Sequence, residues 1–92
     1  MATNPIVEKI QAGAAIIDVR SPDEFNDGHY PNAKNLPVNL LMLKMKDIGP
    51  KDQPVVLYCE TGSRSAYAAM ILKASGFKDV VNAGGLDDMP PA

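Results

Sequence analysis

The sequence predicts an α/β fold built around a small, mostly parallel β-sheet, and two observations carry that expectation. Short apolar runs that read as buried strands alternate with segments of helical spacing, and Pro and Gly punctuate the chain at short intervals. The run Val55-Val56-Leu57-Tyr58-Cys59 is apolar at every position, which is the pattern of a strand covered on both faces in a parallel sheet. With 92 residues the chain is expected to be one domain, residues 1–92. A chain of this size hides only about 60–65% of its unfolded surface, which excludes a large multi-domain enzyme.

Each element has a local cause. Thr3 or Asn4 is placed to cap a helix that opens with Pro5, shows Ile6, Val7 and Ile10 at helical spacing, and stops at Gly13. Ala14 to Val19 is too short for a helix and apolar except for Asp18, so it reads as a buried strand. Ser21-Pro22-Asp23-Glu24 has the form of a capping box with proline at the first helical position, which predicts one short helix ending before Gly28. Lys34 to Leu36, between Pro31 and Pro37, leaves room only for a short strand. Leu40, Leu41, Leu43 and Met45 then suggest a helix closed by Gly49-Pro50. Val55 to Cys59 is the clearest strand, and Ser65 to Ser75 reads as an alanine-rich helix with Gly76 as its left-handed stop. Val80-Val81 is a last short strand before Gly84-Gly85 turns the chain.

Composition removes several function classes. The only cysteine, Cys59, has no internal disulfide partner, and with His29 the only imidazole no Cys/His zinc site is expected. The carboxylates show no metal-ligand spacing, so no metal is expected. Nine Lys and Arg against eleven Asp and Glu give a net charge of −2. The cations are scattered, so a nucleic acid is not an expected partner. No uncharged run approaches the ~20 apolar residues that span a bilayer, and Glu8 and Lys9 stand where a signal peptide needs an apolar stretch. A cytoplasmic protein with a reduced thiol and no membrane association is therefore expected.

The segment with chemical content is Cys59-Glu60-Thr61-Gly62-Ser63-Arg64-Ser65, a strand end, a small-residue turn and a helix start. Ligands of α/β sheets bind beyond the carboxyl ends of the strands. A turn that leads into a helix converges several backbone N–H groups and adds roughly half a positive charge. A free cysteine, with a pKa near 8.5, is only about 3% thiolate at pH 7, and a downward shift of about two units makes it mostly thiolate. The turn amides and Arg64 are candidates to supply that shift, and Gly62 to supply the positive φ of a loop that curls around the sulfur. Thr61 and Ser63 are placed to bond the loop or an anion. From these residues alone two readings of Cys59 stay open, a nucleophile or a small buried hydrophobe.

The same residues resemble a known family. Cys59 to Ser65 looks like the active-site loop of rhodanese-like sulfurtransferases, and Ile17-Asp18-Val19-Arg20 through Glu24-Phe25, with Gly28-His29-Tyr30-Pro31 through Leu36-Pro37, resembles that family's N-terminal signature. Gly76-Phe77, Val80 and Gly84-Gly85-Leu86 resemble its C-terminal one.

The resemblance implies the three-layer rhodanese-like fold and a single-domain sulfurtransferase of the thiosulfate type. In it Cys59 takes a sulfane sulfur from a donor such as thiosulfate or polysulfide, becomes a persulfide, and passes the sulfur to cyanide or a thiol in a two-stage scheme. It further implies that the loop Glu60, Thr61, Gly62, Ser63, Arg64 and Ser65 holds the negative charge, with Arg64 bracing the loop or steering the donor. No cofactor beyond the covalent persulfide is expected. The partners expected are a small sulfur-donor anion and a thiol or protein acceptor.

Glu60 is an acid beside the thiol and works against a dianion, which points to a polysulfide or a protein persulfide as donor. It also motivates a second reading, a persulfide carrier or partner-binding module with little turnover of small molecules. A third reading, a phosphatase, meets an objection from length. The related phosphatases have one residue more between cysteine and arginine, and here Glu60 to Ser63 makes four.

Asp18 and Arg20 are read as a structural pair supporting the site. His29 is read as a residue that bonds backbone. The stripe from Leu40 to Met45 is read as core packing and Lys44 and Lys46 as a solvated face. A single small domain has no companion to cover its site, so the Cys59 thiol is expected to open to solvent.

Overall fold

The computed structural model describes residues 4–91. Four strands, β1 (Ala15–Asp18), β2 (Lys34–Asn35), β3 (Val55–Cys59) and β4 (Val80–Gly85), form one sheet in the order β2-β1-β3-β4. Every pairing is parallel, with Ile17 opposite Leu57 and Val55 opposite Val80. Three α-helices connect or flank them: α1 (Pro5–Gln11), α2 (Pro22–Asp27) and α3 (Ser63–Ala74).

Alternation along the central strands builds the three layers. On β3, Val55, Leu57 and Cys59 point into one core with Ile17, Leu41, Ala68, Leu72 and Phe77. Val56 and Tyr58 point into the other, with Ile16 and Met89 and the half-buried Ile6, Ile10 and Tyr30. Burial on both faces explains the uninterrupted apolar run of β3, and each fully buried Leu or Val there contributes about 1.5–3 kcal/mol.

Local signals explain the helix starts. The Asn4 side chain accepts the N–H of Ile6 at 2.8 Å and Pro5 occupies the first turn of α1; the alternative cap, Thr3, lies outside the described residues. Ser21 and Glu24 form the full capping box on α2, worth about 1 kcal/mol as a cap.

Three elements depart from expectation. The helix expected from Leu40 to Gly49 is instead a pair of 3₁₀ turns, Val38–Leu40 and Met45–Asp47. Lys44 leaves the helical region with φ −113° and ψ 20°, which breaks the span between Pro37 and Gly49-Pro50 into two separate turns. The stripe is split in consequence: Leu41 is buried, whereas Met42 and Leu43 are 72% and 82% exposed. Helix α3 begins at Ser63, two residues early, because Gly62 turns the chain at φ 100° and its carbonyl accepts the N–H of Ala66 at 3.0 Å. Strand β4 continues to Gly85, which pairs with Cys59 across a register shift. A Cβ at position 85 would collide with the Glu60 carbonyl oxygen, so glycine permits the strand to close against the loop.

Candidate functional site

The end of β3, the turn at residues 60–62 and the first turn of α3 wrap one sulfur atom. The N–H of Gly62 donates to Cys59 Sγ at 2.9 Å, and Ser65 approaches it with its N–H at 3.5 Å and its hydroxyl at 3.4 Å. Cys59 is 0% exposed, so the thiol lies beneath the loop and does not open to solvent as expected. The loop curls over the sulfur because its donors must converge on it, and convergence covers it.

Two opposing effects act on this thiol. Burial pushes its pKa up; the Ser65 hydroxyl and N–H, with the N–H groups of Gly62 and Thr61, outweigh that and hold it below the ordinary cysteine value. The arrangement therefore shifts the thiol toward the thiolate, the reactive form of cysteine.

The remaining loop residues take different places. Arg64 makes a two-pronged ion pair with Glu24 of α2, at 2.7 and 2.9 Å, which braces the start of α3 against α2. That pair holds the Glu24 carboxyl down to about 2, the bonds from Ser21 adding to the effect of Arg64. The hydroxyls of Thr61 and Ser63 are exposed and face each other at 3.4 Å. Glu60 is 58% exposed on its side chain and turns to Arg20, 3.3 Å away.

Asp18 and Arg20 meet at the end of β1. The Asp18 carboxylate accepts Arg20 Nε and a terminal nitrogen, and also the Arg20 backbone N–H at 2.9 Å. Arg20 also donates to the Gly28 carbonyl at 2.7 Å and sits 5.6 Å over the Tyr58 ring. Asp18, through its hydrogen bond and its charge, raises the Arg20 pKa, so the guanidinium stays charged although buried. His29 stacks on Phe25 at 3.7 Å and donates Nδ1–H to the Phe25 carbonyl. An open depression of about 530 Å³ beside the loop is lined by Arg20, Glu24, Asp27, Gly28, Glu60 and Leu86, three carboxylates against one guanidinium.

Three contacts of the site are not legible in the loop itself. Asn82 on β4 accepts the Ser65 hydroxyl at 2.6 Å and donates to the Gly62 carbonyl at 3.1 Å. Tyr58 donates its hydroxyl to Asp18 at 2.8 Å and accepts the N–H of Tyr30 at 3.0 Å. Glu24, visible in the sequence only as a capping residue, holds Arg64. A phenol at the buried end of an apolar strand does signal a need for a polar partner, and this points to Tyr58; nothing local singles out Asn82. Among the described residues no cluster of His, Cys, Asp and Glu is arranged to hold a metal ion, and no helix is long and apolar enough to cross a membrane.

Comparison with known proteins places these features in a family. The family model described as "Rhodanese-like domain" matches residues 4–89. A sulfurtransferase of Allochromatium vinosum is 40% identical over 70 residues, covering 76% of this chain and 64% of that protein. The thiosulfate sulfurtransferase PspE of Escherichia coli is 36% identical over 74 residues, covering 79% of this chain and 71% of that one. The solved structure of an E. coli rhodanese with anions superposes with a TM-score of 0.82 at 32% identity, covering 87% of this chain and 95% of that chain. The chain thus spans just under two thirds of the length of the Allochromatium relative.

Proposed function

Since the chain belongs to the rhodanese-like domain family, we propose that it is a sulfurtransferase in which Cys59 carries the sulfur. The observation that carries this reading is the set of donors on one sulfur: the Gly62 N–H at 2.9 Å with the Ser65 N–H and hydroxyl behind it. The Cys59 thiolate attacks the outer sulfur of a donor such as thiosulfate. A new S–S bond forms, the donor's S–S bond breaks, and sulfite leaves with the electron pair. A cyanide ion or thiolate then attacks the outer sulfur of the Cys59 persulfide, and the Cys59 thiolate departs with its electrons restored. No outside oxidant or reductant is needed. The loop amides hold the negative charge at each stage, much as donors in an oxyanion hole do, and no metal or organic cofactor takes part. The similarity to a thiosulfate sulfurtransferase supports thiosulfate as one donor.

Incubation with thiosulfate or polysulfide is expected to add about 32 Da, one sulfur atom, to the protein in mass spectrometry. Cys59→Ser should remove the adduct, and no adduct with any donor would defeat the reading.

A second reading, a persulfide carrier or partner-binding module with little turnover of small molecules, is favoured by the electrostatics. Arg20 is held by Asp18 and Glu60 and Arg64 by Glu24, so the cations near the loop already have carboxylates, and the adjoining depression carries an excess of acid. A dianion gains little there. A sulfur presented by a protein persulfide, with lower charge, fits better. Ready persulfide loading with negligible cyanide turnover supports the carrier; vigorous thiosulfate turnover supports the enzyme.

A further inference from the structure

The Ser65 hydroxyl has more acceptors than protons. Its Oγ lies 2.6 Å from Asn82 Oδ1, 3.2 Å from the Gly62 carbonyl, and 3.4 Å from both the Gly84 carbonyl and Cys59 Sγ. A hydroxyl donates one proton, so these groups compete for it, and Asn82 is much the nearest. The Asn82 amide is itself fixed, because Oδ1 accepts the Gly84 N–H at 2.9 Å while Nδ2 donates to the Gly62 carbonyl at 3.1 Å. Only one orientation of the amide makes both bonds, and it presents an acceptor to Ser65.

We propose that Asn82 is a positioning residue for the sulfur chemistry: it holds the Ser65 hydroxyl proton away from Cys59 while the sulfur is neutral and yields it to the sulfur when the sulfur is charged. With a neutral thiol, the Ser65 proton lies toward Asn82 and an oxygen lone pair accepts the S–H. With a thiolate, the hydroxyl rotates and donates to Sγ, since a hydrogen bond to an ion is roughly twice as strong as one between neutral groups. Asn82, an exposed residue, then keeps the Gly84 N–H on its Oδ1, so that acceptor is not orphaned. The rotation has a cost, the bond to Asn82, and that cost sets how readily Cys59 ionises. Asn82 therefore opposes the thiolate through Ser65, whereas a residue that merely braced the loop would favour it.

The other charged groups around this point are Glu60 and Arg64 from the loop and α3, Asp18 at the end of β1 and Arg20 just beyond it, Glu24 from α2, and Asp88, which bonds the Gly85 N–H. None changes in the variants below, so their contributions cancel between them. The consequence for turnover rests on the reading of Cys59 as the sulfur carrier. The titration below uses no sulfur donor, so failure of the one is distinguishable from failure of the other.

The test is the ionisation of Cys59, followed by the Cβ chemical shift of the single cysteine against pH in isotope-labelled protein. Ser65→Ala should raise the pKa by about one unit, and Asn82→Ala should lower it by about half a unit. The double variant should match Ser65→Ala alone. A pKa that rises or stays fixed in Asn82→Ala, or an Asn82→Ala effect that persists without the Ser65 hydroxyl, would overturn the proposal. Should Asn82→Ala fail to fold, Asn82→Asp retains a stronger acceptor at the same place. It should raise the pKa more with Ser65 present than with Ser65→Ala, and an equal rise in both backgrounds would overturn the proposal as well.

Discussion

Tyr58 shows how much of the site depends on single side chains brought together by the fold. Its hydroxyl gives a proton to the buried Asp18 carboxylate and takes one from the Tyr30 backbone, and burial, with Asp18 adding to it, pushes the phenol up to about 12. Tyr58→Phe removes a donor from a buried carboxylate and leaves an N–H without its acceptor, so it should cost about 1–3 kcal/mol at pH 7 in urea unfolding. A raised pKa means the protonated phenol is the form the fold stabilises. The difference from wild type should thus hold below the unfolded value near 10 and shrink as pH rises toward about 12. Glu60 is the opposite case, an exposed acid whose partner Arg20 keeps Asp18 regardless. Glu60→Gln should change stability by less than about 0.5 kcal/mol. Under the proposed sulfur-carrier role of Cys59, it should also speed any loading from thiosulfate about two- to five-fold at low salt, an advantage that fades as ions screen the charge. The loop from Cys59 to Ser65 was legible because its donors and its sulfur are neighbours in sequence. Asn82 and the Glu24–Arg64 pair were not, since they meet their partners 17 and 40 residues away and no spacing rule connects them.

At the scale of elements, α2 is a brace. Its short length leaves it little intrinsic stability; Ser21 and Glu24 close its start, and the same Glu24 reaches Arg64 in the first turn of α3. Glu24→Gln keeps a side chain able to accept the Ser21 N–H but loses the charge. Because both partners are about one third exposed, the loss at pH 7 should be only about 0.5–1 kcal/mol. Glu24 is held down to about 2 in the folded protein, so its contribution is complete above the unfolded carboxylate value near 4.3 and disappears as pH falls through about 2. Wild type and Glu24→Gln should therefore differ in denaturant midpoint at pH 6 and converge near pH 2. The capped helices α1 and α2 and strand β3 were readable because caps and apolar runs are local. The segment from Val38 to Asp47 was not. Its leucines and methionines suit a helix, and the outcome turned on the sheet, which accepts Leu41 and Ile48 into the core and leaves Met42 and Leu43 outside.

At the scale of the molecule, one four-stranded sheet separates two cores, and β3 belongs to both. Leu57 and Cys59 lie with Leu72 of α3 on one side; Val56 and Tyr58 lie with Ile16 and Met89 on the other. The two cores share no helix, so the sheet is what couples them. If that coupling is strong, neither layer melts alone and the chain unfolds in one transition, as small domains usually do. Two truncations test it from opposite sides. Leu72→Ala removes a fully buried side chain beneath α3 and should cost about 2–5 kcal/mol; Val56→Ala on the other face should cost somewhat less, about 1.5–3 kcal/mol. Total stability for a domain of this size is about 5–14 kcal/mol, so either change is a large fraction of the whole. Both should shift the urea midpoint without altering the slope, and circular dichroism should report the same midpoint as the Tyr58 environment on the far face. A reduced slope in Leu72→Ala, with the Tyr58 signal retained after α3 has melted, would show that the layer over Cys59 unfolds on its own. The loop over Cys59 would then open without disturbing the face that holds Asp18 and Arg20, and the sulfur exchange proposed for the buried thiol would be governed by that local event instead of by global stability.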